Sequence, residues 1–131
     1  MQYVYVVDAS VAVFALDGDP SVARWFDGMA DQGRLISSRI LQTEITRVLR
    51  RQKRDVFERD KILDSIATIP IDEMILTMAE SIVPHIKTLD SIHLASALRL
   101  GGLTTVATHN ENMARVAHKI GLKTVDPLDA S

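Results

Sequence analysis

The chain has no cysteine. That excludes a disulfide scaffold, a zinc site built on thiolates and a cysteine nucleophile. It also lacks an excess of either charge. Fifteen basic residues stand against seventeen acidic ones, for a formal net charge of −2. A non-specific basic coat for nucleic acid is excluded, while a local basic patch is not. No apolar run approaches the length needed to span a bilayer, so no membrane association is expected. Residues Met1 to Val7 are apolar but too short for a signal core, and no positive segment precedes them. With cysteine absent as well, the expected compartment is the cytoplasm. There is no glycine-rich phosphate loop, no Gly-x-Ser-x-Gly and no Ser/His/Asp ordering of a hydrolase triad. Repeats, linkers and low-complexity stretches are also missing. What remains is an ordinary globular composition, 47% hydrophobic and 24% charged over 131 residues, the length of one domain spanning 1–131.

Hydrophobic periodicity alternates between strand-like runs and helical stripes. Strands are expected over Tyr3 to Val7, Leu35-Ile36, Thr68 to Ile71, Leu103 to Ala107 and Lys123 to Val125. Helices are expected from Asp8 to Leu16, Ser21 to Asp31, Ser38 to about Lys53, Asp55 to Ile66, Asp72 to about Ile86, Thr88 to Leu100 and Glu111 to Ile120. The spacing of Val22, Trp25, Phe26 and Met29 places Trp25 in the core. Pro84 weakens the last turn of its helix. Strands alternating with helices indicate an α/β fold around a parallel sheet. Ligands of such sheets sit outside the carboxyl ends of the strands. Asp8 ends the first strand, and Thr108-His109-Asn110 follows the fourth.

Three acidic residues stand in apolar company. Asp8 follows Val4-Tyr5-Val6-Val7, Glu44 lies among Leu41, Ile45 and Val48, and Asp90 lies in Leu89-Asp90-Ser91-Ile92-His93-Leu94-Ala95-Ser96-Ala97. Each has a structural reading: a helix cap for Asp8, an ion pair with Arg47 or with a more distant Lys or Arg on a solvated face for Glu44, a first-turn anion for Asp90. Together they converge on one side of the expected sheet. Clustered carboxylates repel one another unless a cation sits between them. All-oxygen ligands suit Mg²⁺ or Mn²⁺, and such ions serve hydrolysis of a phosphodiester. The histidines carry less. His93 reads as packed or partly exposed, with a supporting place behind the carboxylates as the alternative. His85 and His118 lie near helix ends, where a cation is favoured. His109 is close to the expected site but has no zinc-type partner at i, i+4. From Arg47 to Arg54, five of eight residues are basic. They read equally as a solvated helix end or as a patch that tracks phosphates, with Arg47 and Arg51 on the Glu44 face.

These pieces resemble a known family. Val6-Val7-Asp8-Ala9-Ser10, Ser38 to Arg51 with Thr43-Glu44 inside it, Leu89 to Ala95, and Ala107-Thr108-His109-Asn110 followed by Met113-Ala114-Arg115-Val116-Ala117 are similar, in order and spacing, to the PIN-domain ribonucleases. Within these they resemble the VapC-like toxins of bacterial type II toxin–antitoxin pairs. The resemblance covers nearly the whole chain. It implies a single PIN-like domain, a five-stranded parallel sheet flanked by helices, and a Mg²⁺- or Mn²⁺-dependent endoribonuclease. Asp8, Glu44 and Asp90 would be catalytic metal ligands, with Asn110 as a weak fourth. Ser10 and Thr108 would support them, and Arg47, Arg50 and Arg51 would hold RNA. The implied partners are an RNA substrate such as a tRNA or rRNA loop, a cognate VapB-like antitoxin and a second copy of the chain. The family's fourth acidic position is Asn110 here, which removes one negative charge. That departure motivates a second reading, a catalytically weak module that mainly binds antitoxin or RNA.

Overall fold

The first strand, β1 (Val4–Val7), is closed to water on both faces at its carboxyl end, where Val6 and Val7 are fully buried. The computed structural model describes residues 3–129. Over that range β1 is followed by α1 (Ala9–Leu16), α2 (Pro20–Asp31), β2 (Leu35–Ser38), α3 (Ile40–Arg51), a 3-10 turn (Val56–Arg59), α4 (Asp60–Leu63) and β3 (Ala67–Ile69). Then come α5 (Glu73–Glu80), α6 (Thr88–Leu100), β4 (Thr104–Ala107), α7 (Glu111–Lys119) and β5 (Lys123–Val125). The strands form one five-stranded parallel sheet in the order β3-β2-β1-β4-β5. The α/β fold and the five-stranded parallel sheet expected from sequence are what the chain builds. The expected extent of 1–131 runs a few residues beyond the described range.

Successive side chains of a strand point to opposite faces, and the two cores follow from that. Val7 and Ala107 face one layer, packing with Val11, Val22, Phe26, Leu41, Ile45 and Leu49 from α1, α2 and α3. Val6 and Val106 face the other, packing with Leu94, Ala97, Met113, Val116 and Ala117 from α6 and α7. The register pairs Val6 with Val106 and Val7 with Ala107, so each layer is continuous across β1 and β4. A small third cluster of Ile75, Ile92 and Ala95 joins α5 to α6. Trp25 is only half-buried. It packs edge-on against Tyr5 at 5.2 Å rather than entering the core, and Phe26 takes the buried place beside Val22.

Several boundaries differ from the sequence expectation, each for a local reason. The helix expected to reach Ile86 stops at Glu80. Pro84 has no N–H for the Glu80 carbonyl, and it disfavours the helical region at Val83. The Ser81 hydroxyl instead donates to the Met78 carbonyl at 2.7 Å. The helix expected over Asp55 to Ile66 divides into a 3-10 turn and the short α4. Asp55 caps that turn through the Phe57 N–H at 3.0 Å, and none of the turn's own residues is buried. The helix expected from Ser38 begins at Ile40, because Ser37 and Ser38 continue β2 as buried strand residues.

Candidate active site

The chain leaves β1 for β2 and β3 on one side of the sheet, then crosses to β4 on the other side of β1. The carboxyl ends of β1 and β4 are therefore the point at which the winding changes direction, where α/β sheets bind ligands. A cleft of about 400 Å³ opens there, lined by Asp8, Ala9, Ser10, Glu44, Lys87, Thr88, Leu89, Asp90 and Asn110. It brings together all four candidate metal ligands read from the sequence, along with Ser10.

Asp8 follows β1 directly and is the N-cap of α1. Its Oδ1 accepts from the Ser10 hydroxyl at 2.7 Å and from the Val11 N–H at 3.1 Å. Its Oδ2 accepts from the Thr108 hydroxyl. One side chain therefore both caps α1 and lines the cleft. A carboxylate offers about four acceptor positions, so three donors leave about one open. The clamp has its own supports. The His109 N–H donates to Ser10 Oγ at 2.9 Å, and the Asn110 N–H donates to Thr108 Oγ1 at 3.0 Å. Burial pushes the Asp8 carboxyl above the usual carboxylate range, against the lowering effect of its hydroxyl and N–H donors.

Asp90 lies in the first turn of α6 and is half-buried. Its carboxyl is also raised. Burial is the largest cause, and the charges of Asp8 and Glu44 add to it. The three carboxylates thus share one electrostatic field. Glu44, in the second turn of α3, does not pair with Arg47. Its Oε1 lies 2.6 Å from Nε2 of His93, which is fully buried one turn after Asp90 on α6. Asn110 lines the cleft and caps α7, its Oδ1 accepting from the Met113 N–H at 3.0 Å.

Two further features lay outside the sequence reading. Lys87 reaches the cleft from the position before α6. Its visible signal was its place at the start of the Asp90 helix. The second is the partner of His93: the supporting place that the sequence offered as the alternative for it lies behind Glu44, and its signal was an imidazole in a mostly apolar helix next to Asp90. His109 keeps its ring outside the cleft, bonded to Asp126 at 2.8 Å, and that bond raises its pKa. Arg47, Arg50 and Arg51 are exposed on α3, which starts at the cleft and runs away from it. Arg47 is one turn from Glu44, while Arg51 is about 10 Å from Glu44 along the axis at 1.5 Å per residue. Arg54, the last of the basic run, is committed elsewhere, bridging Asp17 at 2.7 Å and Glu58 at 2.9 Å.

Among the described residues, no three Asp, Glu or His side chains close into a ready-made ligand cage. The donor set is nonetheless one that suits a hard cation: three carboxylates and one amide oxygen, with Asp8 raised by burial and Asp90 by burial and by the charges of Asp8 and Glu44. An open, oxygen-only site suits an ion that keeps several waters, as Mg²⁺ does.

The PIN-domain family model matches residues 5–119. The chain belongs to the PIN-domain family. This PIN domain is similar to ribonuclease VapC47 of Mycobacterium tuberculosis, at 26% identity over 129 residues that cover 92% of this chain and 95% of that protein. It is also similar to ribonuclease VapC46 of the same species, at 28% identity over 95 residues covering 70% and 73%. Its fold matches a chain in the structure of VapBC2 from Rickettsia felis bound to a promoter DNA fragment, with a TM-score of 0.71 and 15% identity over 94% of this chain and 98% of that one. It likewise matches a chain in the structure of VapBC-1 from nontypeable Haemophilus influenzae, with a TM-score of 0.69 and 15% identity over 96% and 99%. The resemblance read from the scattered sequence pieces is thus met by the family match and by the fold. Among the described residues, no helix is long and apolar enough to cross a membrane.

Proposed function

We propose that this PIN domain is a divalent-metal-dependent endoribonuclease, the toxin of a toxin–antitoxin pair. The observation that carries the reading is the convergence of Asp8, Glu44 and Asp90 on one cleft at the β1/β4 crossing. The named ribonuclease relatives and the VapBC fold neighbours support the activity and the antitoxin partner. Asp8, Glu44 and Asp90 would hold Mg²⁺ or Mn²⁺, with the Asn110 carbonyl as a weaker neutral ligand. When bound, the ion supplies Lewis acidity toward a phosphodiester and neutralises the crowded carboxylates. Ser10 and Thr108 hold Asp8 in one rotamer by donating to both its oxygens. Glu44 completes the cluster or orients the attacking water. Lys87 at the rim and Arg47, one turn beyond Glu44, bind the RNA backbone, and Arg50 and Arg51 extend the track. RNA loops of tRNA or rRNA are the substrates in this reading, the working unit is a homodimer, and the compartment is the cytoplasm.

The test is cleavage of RNA by the purified protein with Mg²⁺ or Mn²⁺, against EDTA and against Asp8→Asn. Loss of cleavage by at least about 100-fold is expected in both controls, on the scale of removing a stabilising group from a transition state. Cleavage that persists in EDTA or in Asp8→Asn sinks the mechanism. Asn110 favours a second reading, a module that binds antitoxin or RNA and cleaves weakly, because the amide brings no charge to the cluster. A large gain in cleavage on Asn110→Asp, over a barely active wild type, would select that reading.

A further inference from the structure

Of the three clustered carboxylates, Glu44 alone is anchored by an imidazole. His93 is fully buried, with Nε2 2.6 Å from Glu44 Oε1. Its other ring nitrogen, Nδ1, has no hydrogen-bond partner. A buried lone pair without a partner costs less than a buried N–H without one, so the hydrogen sits on Nε2 and donates to the carboxylate. No donor among the described residues bonds Glu44 Oε2, and the side chain lines the cleft. Glu44 is the hydrogen-bond partner of this imidazole, and an apolar residue in its place would avoid the orphaned nitrogen. Glu44 and Asp90 belong to different helices, α3 and α6. The His93 bond is a direct side-chain link between those helices behind the carboxylates.

We propose that His93 is a positioning residue, whose Nε2–H fixes Glu44 Oε1 and so presents Oε2 to a divalent cation held with Asp90. The inference rests on the reading of the cleft as a divalent-metal site and adds to it a residue that never touches the ion. Support of this kind, from a group behind the ligand, is worth about 10- to 100-fold in affinity where it has been removed from metal sites.

The experiment is Mn²⁺ binding by titration calorimetry on the full chain for wild type, His93→Met and His93→Gln. Methionine fills the buried space without a donor, while the glutamine amide places an N–H near the Nε2 position. Expected is at least a tenfold loss of Mn²⁺ affinity in His93→Met and a loss within about threefold in His93→Gln, with RNA cleavage following the same order. Equal affinity in wild type and His93→Met overturns the proposal, as does a glutamine variant no better than methionine. A wild type that binds no Mn²⁺ removes the metal reading and this inference together. A wild type that binds normally beside an unaffected His93→Met removes the inference alone. Should His93→Met fail to fold, ¹⁵N spectra of the wild-type imidazole decide: a Nε2 resonance that shifts on Mg²⁺ addition supports the link, and one that stays still overturns it.

Discussion

Asp8 serves as a helix cap, a clamp point and a candidate ligand, and the three roles pull on its energy in different directions. Its hydrogen bonds favour the charged form, while burial disfavours it more, so the folded carboxyl holds its proton more tightly than the unfolded one. For such a group the favourable contribution to stability is present at acid pH and is lost as pH rises through the raised folded value. Asp8→Asn is therefore expected to stabilise the metal-free protein at pH 7. The gain should shrink toward zero as pH falls to about 4, near the usual carboxylate range. Urea unfolding in EDTA at a series of pH values measures it, and a gain independent of pH would contradict the assigned cause. Thr108 lies on the other side of the same clamp and is buried. Thr108→Val leaves one Asp8 oxygen without its donor and the Asn110 N–H without its acceptor. The expected loss is about 1–3 kcal/mol by denaturant unfolding, the scale of unpaired buried polar groups.

Among the elements, α5 offers a clean separation of stability from chemistry. Asp72 caps it through the Ile75 N–H at 2.9 Å and lies outside the cleft. Asp72→Ala should cost about 1 kcal/mol, as lost caps do, with RNA cleavage at saturating metal unchanged. A thermal melt and a cleavage assay on the same preparation check both halves. Element by element, legibility in the sequence followed how strongly local chemistry dictated the outcome. Thr88 to Leu100 reads as a helix because its apolar body ends at Gly101, and the structure has those bounds. The end of α5 was misplaced because Pro84 acts four residues upstream, at the carbonyl it fails to satisfy, rather than at its own position. Trp25 sits on the right stripe of α2, yet a stripe does not say which of two adjacent large residues the sheet admits, and Phe26 took that place. Asp8 and Thr108 could be placed because strand ends are positions in a chain. The meeting of His93 with Glu44 joins residues 49 apart on two helices, and no periodicity reports the distance between helices.

For the molecule as a whole, two raised carboxyls in one cleft mean that the metal-free protein is held below the stability its cores would otherwise give it. Binding of Mg²⁺ or Mn²⁺ to the folded form alone should offset that deficit through the binding term. At a free ion concentration 100 times the dissociation constant, that term is about 2.7 kcal/mol. For a chain of 131 residues it corresponds to a rise of about 10 °C in melting temperature. Scanning calorimetry with and without the ion measures the rise, and Asp90→Asn should reduce it by at least half. An unchanged melting temperature at millimolar Mg²⁺ and Mn²⁺ would count against a metal site.

The bond from Thr108 to Asp8 spans 100 residues of chain, and β1 finds its β4 neighbour only across that same gap. A ribosome making this protein therefore carries Asp8 and Glu44 well before the strand that aligns the first of them exists. Until residue 108 has been synthesised and β4 has docked, the nascent chain holds the acidic residues without the clamp. The candidate site is therefore among the last parts of the fold that synthesis can complete, and this follows from the order of strands alone.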